Sequence, residues 1–121
     1  MTKVLIVEDH ASMRESLTTA LTAAGDFSVV GEVPNADYAL DFCRHLHPDL
    51  VLMDINMPVM DGYEALRGVR EIAPDVPVIA LTAYAFETDR QRMFQAGFNE
   101  CLAKPLRADE LRTRITALLS R

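Results

Sequence analysis

Four short apolar runs in this chain each lead into a residue that carries chemistry. Val4-Leu5-Ile6-Val7 ends in Glu8-Asp9, Leu50-Val51-Leu52-Met53 in Asp54, and Val78-Ile79-Ala80-Leu81 in Thr82, while a shorter run around Leu102 is followed by Lys104. Runs this short read as strands, and the Leu50–Met53 run is too uniformly apolar for a sheet with one wet face. Strands buried on both faces belong to a parallel sheet covered by helices. All strands of such a sheet point the same way, so the four polar ends gather along one edge.

The segments between the runs have the spacing of helices. Met13, Leu17, Ala20, Leu21 and Ala24 share one face over Ala11–Ala24, and Gly25 stands where a helix stops. Ser28–Val33 reads as a second strand. Asn35 can cap a helix carrying Ala36, Ala39, Leu40 and Cys43, and His47-Pro48-Asp49 marks the following loop. After Leu50–Met53 and a turn at Pro58–Gly62, a third helix carries Tyr63, Leu66, Val69 and Ile72 and ends at Ala73-Pro74-Asp75. Val76–Leu81 is a fourth strand, and a fourth helix from about Glu87 to Ala96 is stopped by Gly97. A short fifth strand, Glu100–Leu102, precedes a fifth helix with Leu111, Ile115 and Leu118 as its buried stripe. Five strand–helix units without a composition break predict one doubly wound α/β domain over residues 1–121, with no linker, repeat or second domain. In such sheets ligands bind outside the carboxyl ends of the strands, where strand order reverses. That edge holds Glu8, Asp9, Asp54, Thr82 and Lys104.

Bulk properties narrow the function. A chain of 121 residues can bury one ordinary core. The net charge of −6 argues against direct nucleic-acid binding, which needs a clustered positive surface. No stretch approaches the ~20 apolar residues of a membrane span, and no cleavage site follows the first strand, so the cytoplasm is the expected location. Cys43 and Cys101 lack metal spacing and read as buried free thiols. His10, His45 and His47 read as structural or exposed, with His10 close enough to the acidic pair to touch its rim. Met53, Met57, Met60 and Met93 read as core or turn packing, and Arg107, Arg112, Arg114 and Arg121 as the solvated face of the fifth helix.

Taken singly, each strand-end residue has an ordinary explanation as a cap, a turn or a surface charge. Together they fit one reaction. Three crowded carboxylates repel one another and call for a hard divalent cation, and magnesium is held by few carboxylates plus waters and phosphate oxygens. No Gly-rich loop of Walker type is present to cradle a nucleotide. A carboxylate can itself attack a phosphoryl group to give an aspartyl phosphate. Lys104 would add positive charge, and Thr82 could donate to an incoming phosphoryl oxygen.

These residues also carry a resemblance. Val7-Glu8-Asp9, Met53-Asp54-Ile55-Asn56-Met57-Pro58 with Asp61-Gly62, Leu81-Thr82-Ala83, Gly97 and Lys104-Pro105 occur in the order seen in receiver domains of two-component response regulators, across essentially the whole chain. The resemblance implies a flavodoxin-like sheet of order 2-1-3-4-5. It implies Asp54 as phosphoacceptor, taking its phosphoryl group from a phosphohistidine on a sensor histidine kinase or histidine phosphotransfer protein. It makes Glu8, Asp9, Asp54 and the backbone carbonyl of Asn56 the Mg2+ site, and Thr82 with Lys104 the phosphoryl-sensing pair. A cis Lys104-Pro105 bond is expected in the family, and proline lowers the cost of cis to ~0.5–1 kcal/mol. Such a domain is a switch with self-phosphorylation and autodephosphorylation chemistry, not a turnover enzyme. It signals through the face formed by helix four, strand five and helix five, with self-association into a homodimer plausible there and phosphotransfer partners docking near helix one. One position departs from the pattern: where the family usually has Tyr or Phe, three residues before the lysine, this chain has Cys101, leaving Tyr84 as a substitute reporter.

Two other classes fit the residues less well. A haloacid-dehalogenase-type phosphatase also uses a strand-end aspartate, but it needs a second aspartate two residues on, where this chain has Asn56, and its nucleophile lies on the first strand. A non-phosphorylated pseudo-receiver would not need the intact set Glu8, Asp9, Asp54, Thr82 and Lys104.

Overall fold

The computed structural model describes residues 2–23, 25–55, 62–83, 86–104 and 106–120. Asn56, Met57, Met60, Asp61, Tyr84, the Lys104-Pro105 bond and Arg121 lie outside them, as does most of the expected Pro58–Gly62 turn. Five strands and five helices alternate: β1 (Thr2–Val7), α1 (Ala11–Thr22), β2 (Phe27–Val33), α2 (Ala36–Leu46), β3 (Leu50–Asp54), α3 (Gly62–Ile72), β4 (Val78–Thr82), α4 (Glu87–Ala96), β5 (Glu100–Ala103) and α5 (Ala108–Leu119). The strands form one parallel sheet in the order β2-β1-β3-β4-β5. From β1 the chain turns outward to β2, then crosses back to β3 on the other side, so order reverses between β1 and β3.

The pleat explains why β3 and β4 are apolar throughout. Successive side chains point to opposite faces, and both faces are covered. Val4, Ile6, Leu50, Leu52, Ile79 and Leu81 pack with Leu17 and Leu21 of α1 and Leu111 and Ile115 of α5. Leu5, Val7, Val51, Met53 and Ala80 face the other way, against Ala39 and Cys43 of α2, Leu66 and Val69 of α3 and Met93 of α4. Every residue of β3 and β4 is buried. Truncating one such leucine to alanine costs about 2–5 kcal/mol, so either layer alone could decide whether the domain folds.

Local signals set the helix ends. The Asn35 side chain accepts a hydrogen bond from the Tyr38 backbone N–H at 3.1 Å, capping α2. Gly97 ends α4 with φ +114°, a conformation costly for any residue with a Cβ. Two features depart from the sequence reading. β4 begins at Val78, not Val76, because Pro77 has no N–H for the ladder, although its carbonyl still accepts from Val51 at 3.0 Å. On α5, Arg112 and Arg114 are not simply solvated: Arg112 donates to the Ala20 carbonyl of α1 at 3.2 Å, and Arg114 pairs with Glu100 at 3.3 Å.

At the amino end of the strands, one guanidinium joins two loops. Arg70 of α3 donates to the carbonyls of Val76 and of Gly97, the latter at 3.0 Å, and to Asn99 Oδ1 at 2.6 Å. Asn99 Oδ1 also accepts from Val78 N–H at 2.9 Å, and Asn99 N–H donates back to the Val78 carbonyl at 2.9 Å.

By contrast α4 is lightly held. Met93 is its one buried residue, while Phe86 and Phe94 are exposed. Arg92 of α4 lies over the Tyr63 ring at 4.5 Å, and Tyr63 meets Phe98 edge-on at 5.7 Å.

Candidate functional site

The reversal of strand order places the β1 and β3 ends side by side, since Val7 is in register with Met53. Glu8 follows Val7, and its N–H donates to the Val33 carbonyl of β2 at 3.0 Å, which holds the exit of β1 against its neighbour. Asp54 ends β3 in register with Leu81, and Thr82 pairs with Ala103 one step further out. Lys104 N–H donates to the Thr82 carbonyl at 2.7 Å, so the sheet ladder itself fixes where the lysine leaves β5.

Glu8, Asp54 and Thr82 are the buried polar or charged side chains of the described residues, at 0, 1 and 1 % exposure. Lys104 reaches in between the acids: its Nζ is 3.1 Å from both carboxylate oxygens of Glu8 and 3.4 Å from Asp54 Oδ1. Asp9 is partly open at the rim. One ligand atom from each of Glu8, Asp9, His10 and Asp54 falls within a mutual 4.8 Å. The expected acidic pair, Asp54 and Lys104 thus meet, with Thr82 on the adjoining strand end. Asn56 lies outside the described residues.

Electrostatics follow from this crowding. Burial pushes the Glu8 carboxyl above the ordinary glutamate range, and hydrogen bonding and repulsion from Asp54 add to the rise, while Lys104 opposes it. A single lysine does not neutralise three carboxylates. Asp9 Oδ1 is buried and accepts no hydrogen bond; the ring nitrogen of His10 stands near it at 3.1 Å. A buried carboxylate oxygen without a donor, among oxygen ligands of like charge, suits a hard cation such as Mg2+.

Arg14 escaped the sequence reading, and His10 was expected there only to touch the rim. Arg14, in the first turn of α1, donates to the Glu8 carbonyl at 2.7 Å and clamps the β1–α1 turn. His10 is 71 % exposed in its side chain, yet its Nδ1 turns back to Glu8 Oε1 at 3.3 Å as well as to Asp9. The one available signal was adjacency to the acidic pair. Cys101, in the place where an aromatic ring was expected, is buried in the same layer as Met93 and Ala80. Burial raises its thiol above the ordinary range.

Comparison with known proteins agrees with this geometry. Residues 4–116 match the family described as the response regulator receiver domain. The chain is 40% identical over 120 residues to response regulator Rre1 of Synechocystis, covering 98% of this chain and 52% of that protein. It is 34% identical over 118 residues to the sensor histidine kinase RcsC of Escherichia coli, covering 98% of this chain and 12% of the kinase. Among solved structures, the receiver domain of sensor histidine kinase PA1611 from Pseudomonas aeruginosa, with a magnesium ion coordinated in its active-site cleft, is 34% identical. It superposes with a TM-score of 0.88, covering 99% of this chain and 98% of that one. The chain spans about half the length of several curated relatives it matches. No helix among the described residues is long and apolar enough to cross a membrane. A doubly wound sheet with acids, a hydroxyl and a lysine at its reversal edge, matched nearly end to end, makes this chain a member of the response regulator receiver family, the signalling domain of two-component systems.

Proposed function

We propose that residues 1–121 form a single receiver domain in which Asp54 accepts a phosphoryl group from a phosphohistidine of a sensor histidine kinase or phosphotransfer protein. The observation that carries this reading is the buried Asp54 carboxylate, 3.4 Å from the Lys104 ammonium and beside the Glu8–Asp9 pair. An Asp54 oxygen attacks phosphorus, the P–N bond to the donor imidazole breaks, and the leaving imidazole takes up a proton. Glu8, Asp9 and Asp54, with the Asn56 carbonyl, would hold Mg2+, which supplies positive charge against the oxygens of the transferring group. Lys104, 3.4 Å from Asp54, adds a second positive charge. In the resting arrangement it is engaged by Glu8 and Asp54, so a phosphoryl oxygen competes for the same ammonium. Thr82, one strand over, donates its hydroxyl to a phosphoryl oxygen. The reading is of a phosphoacceptor switch that also hydrolyses its own phosphate, not a turnover enzyme.

The surface that responds is the face of α4, β5 and α5. Its support is the light anchoring of α4 through Met93 and the exposure of Phe86 and Phe94. A homodimer contact through this face, and phosphotransfer docking near α1, belong to the same reading. Asp54→Asn should abolish labelling by a small phosphodonor such as acetyl phosphate in the presence of Mg2+. Undiminished labelling of that variant would overturn the assignment.

A further inference from the structure

His10 turns its ring nitrogen onto the acidic pair at distances that one shared ion would also span. Zinc binds imidazole nitrogen at ~2.0–2.1 Å and carboxylate oxygen at ~2.0–2.2 Å, so two neighbouring donors on one ion stand ~3.0–3.4 Å apart. His10 Nδ1 is 3.1 Å from Asp9 Oδ1 and 3.3 Å from Glu8 Oε1. Asp54 contributes a further oxygen within the same 4.8 Å span. Asp9 Oδ1, the atom nearest the ring nitrogen, is buried and lacks any hydrogen-bond donor. Independently, the similar PA1611 receiver coordinates a magnesium ion in its active-site cleft.

We infer that His10 is a fourth ligand of this cleft and extends its range from Mg2+ to borderline divalent cations of the zinc type. The inference rests on the metal-site reading above and adds a choice among ions. Magnesium prefers oxygen donors and gains little from an imidazole, whereas zinc and its neighbours favour one. With its ring 71 % exposed, His10 can rotate onto an ion without disturbing the core. Lys104 Nζ lies 3.1 Å from the same Glu8 oxygen, so that carboxylate is shared between Lys104 and His10. The cleft would therefore carry two grades of occupant: Mg2+ on oxygen alone, and a zinc-type ion on oxygen plus nitrogen.

The test is calorimetric titration of the whole chain with Mg2+ and, separately, Zn2+ at fixed neutral pH, for wild type, His10→Ala and Asp9→Asn. Nitrogen-15 shifts of the histidine rings locate the zinc. His10→Ala should weaken Zn2+ binding by about tenfold or more, since even partners outside the coordination shell are worth 10–100-fold in metal affinity. The same variant should leave Mg2+ affinity within about twofold, and Zn2+ should shift His10 Nδ1 in the wild type. Unchanged Zn2+ affinity in His10→Ala, or an equal loss for both metals, overturns the role of His10 while leaving the Mg2+ site standing. Wild-type-like Mg2+ binding by Asp9→Asn overturns the metal-site reading itself, and this proposal with it.

Discussion

Neutralising Asp54 should stabilise the metal-free domain. The carboxylate is buried, and its oxygen lies within 4.8 Å of ligand oxygens from Glu8 and Asp9. At an effective dielectric of 20, two like charges at that separation repel by ~3.5 kcal/mol, and Asp54 faces two such neighbours. Against this stands the attraction to Lys104 at 3.4 Å, of ~5 kcal/mol on the same scale. With all three carboxylates ionised, the two repulsions exceed that attraction by about 2 kcal/mol. Asp54→Asn keeps the shape and removes the charge, so its melting temperature in EDTA should rise by roughly 6–10 °C for a chain of this size. Circular dichroism melts at pH 7.5 and low salt measure it. Saturating Mg2+ should then stabilise the wild type more than the variant, narrowing the gap, because a ligand raises stability in proportion to RT ln(1 + [L]/Kd). An Asp54→Asn protein that melts at or below the wild-type temperature in EDTA would refute the picture of uncompensated carboxylates.

Two further outcomes follow from the same geometry. Because the Glu8 carboxyl is raised in the folded state, its protonated form is favoured by folding. That contribution is fully present below the ordinary glutamate value of 4.5 and fades as pH climbs through the raised folded value, so melts in EDTA should show stability lost across that interval, and Glu8→Gln should flatten the slope. Gly62→Ala should destabilise by about 1–3 kcal/mol despite alanine's better helix propensity, because the added Cβ would lie 2.6 Å from the Ile55 backbone Cα next to Asp54; an unchanged urea midpoint would contradict it.

What could be read from residues alone was whatever is periodic or terminal. The uniformly apolar run Leu50–Met53 declared a strand covered on both faces, and a parallel sheet then forced Glu8, Asp54, Thr82 and Lys104 to one edge. Asn35 and Gly97 declared helix ends through local backbone chemistry. What stayed hidden depends on side chains crossing long distances in sequence. Nothing around Arg70 marks it for Gly97 and Asn99, nearly thirty residues away, and nothing around Arg14 says that its guanidinium turns back onto Glu8. His10 was legible as a neighbour of the acids but not as a residue folded over them, because an exposed ring's direction is set by the fields of groups the local sequence does not display.

The Arg70 contacts give the domain a mechanical asymmetry. At one end of the sheet, the loops entering β4 and β5 are cross-linked through a guanidinium and Asn99. At the other end, the chemistry rests on charges that a cation or a phosphoryl group can rearrange. With one rim cross-linked and the other held by charge, α4, whose one buried residue is Met93, is the helix least anchored to the core.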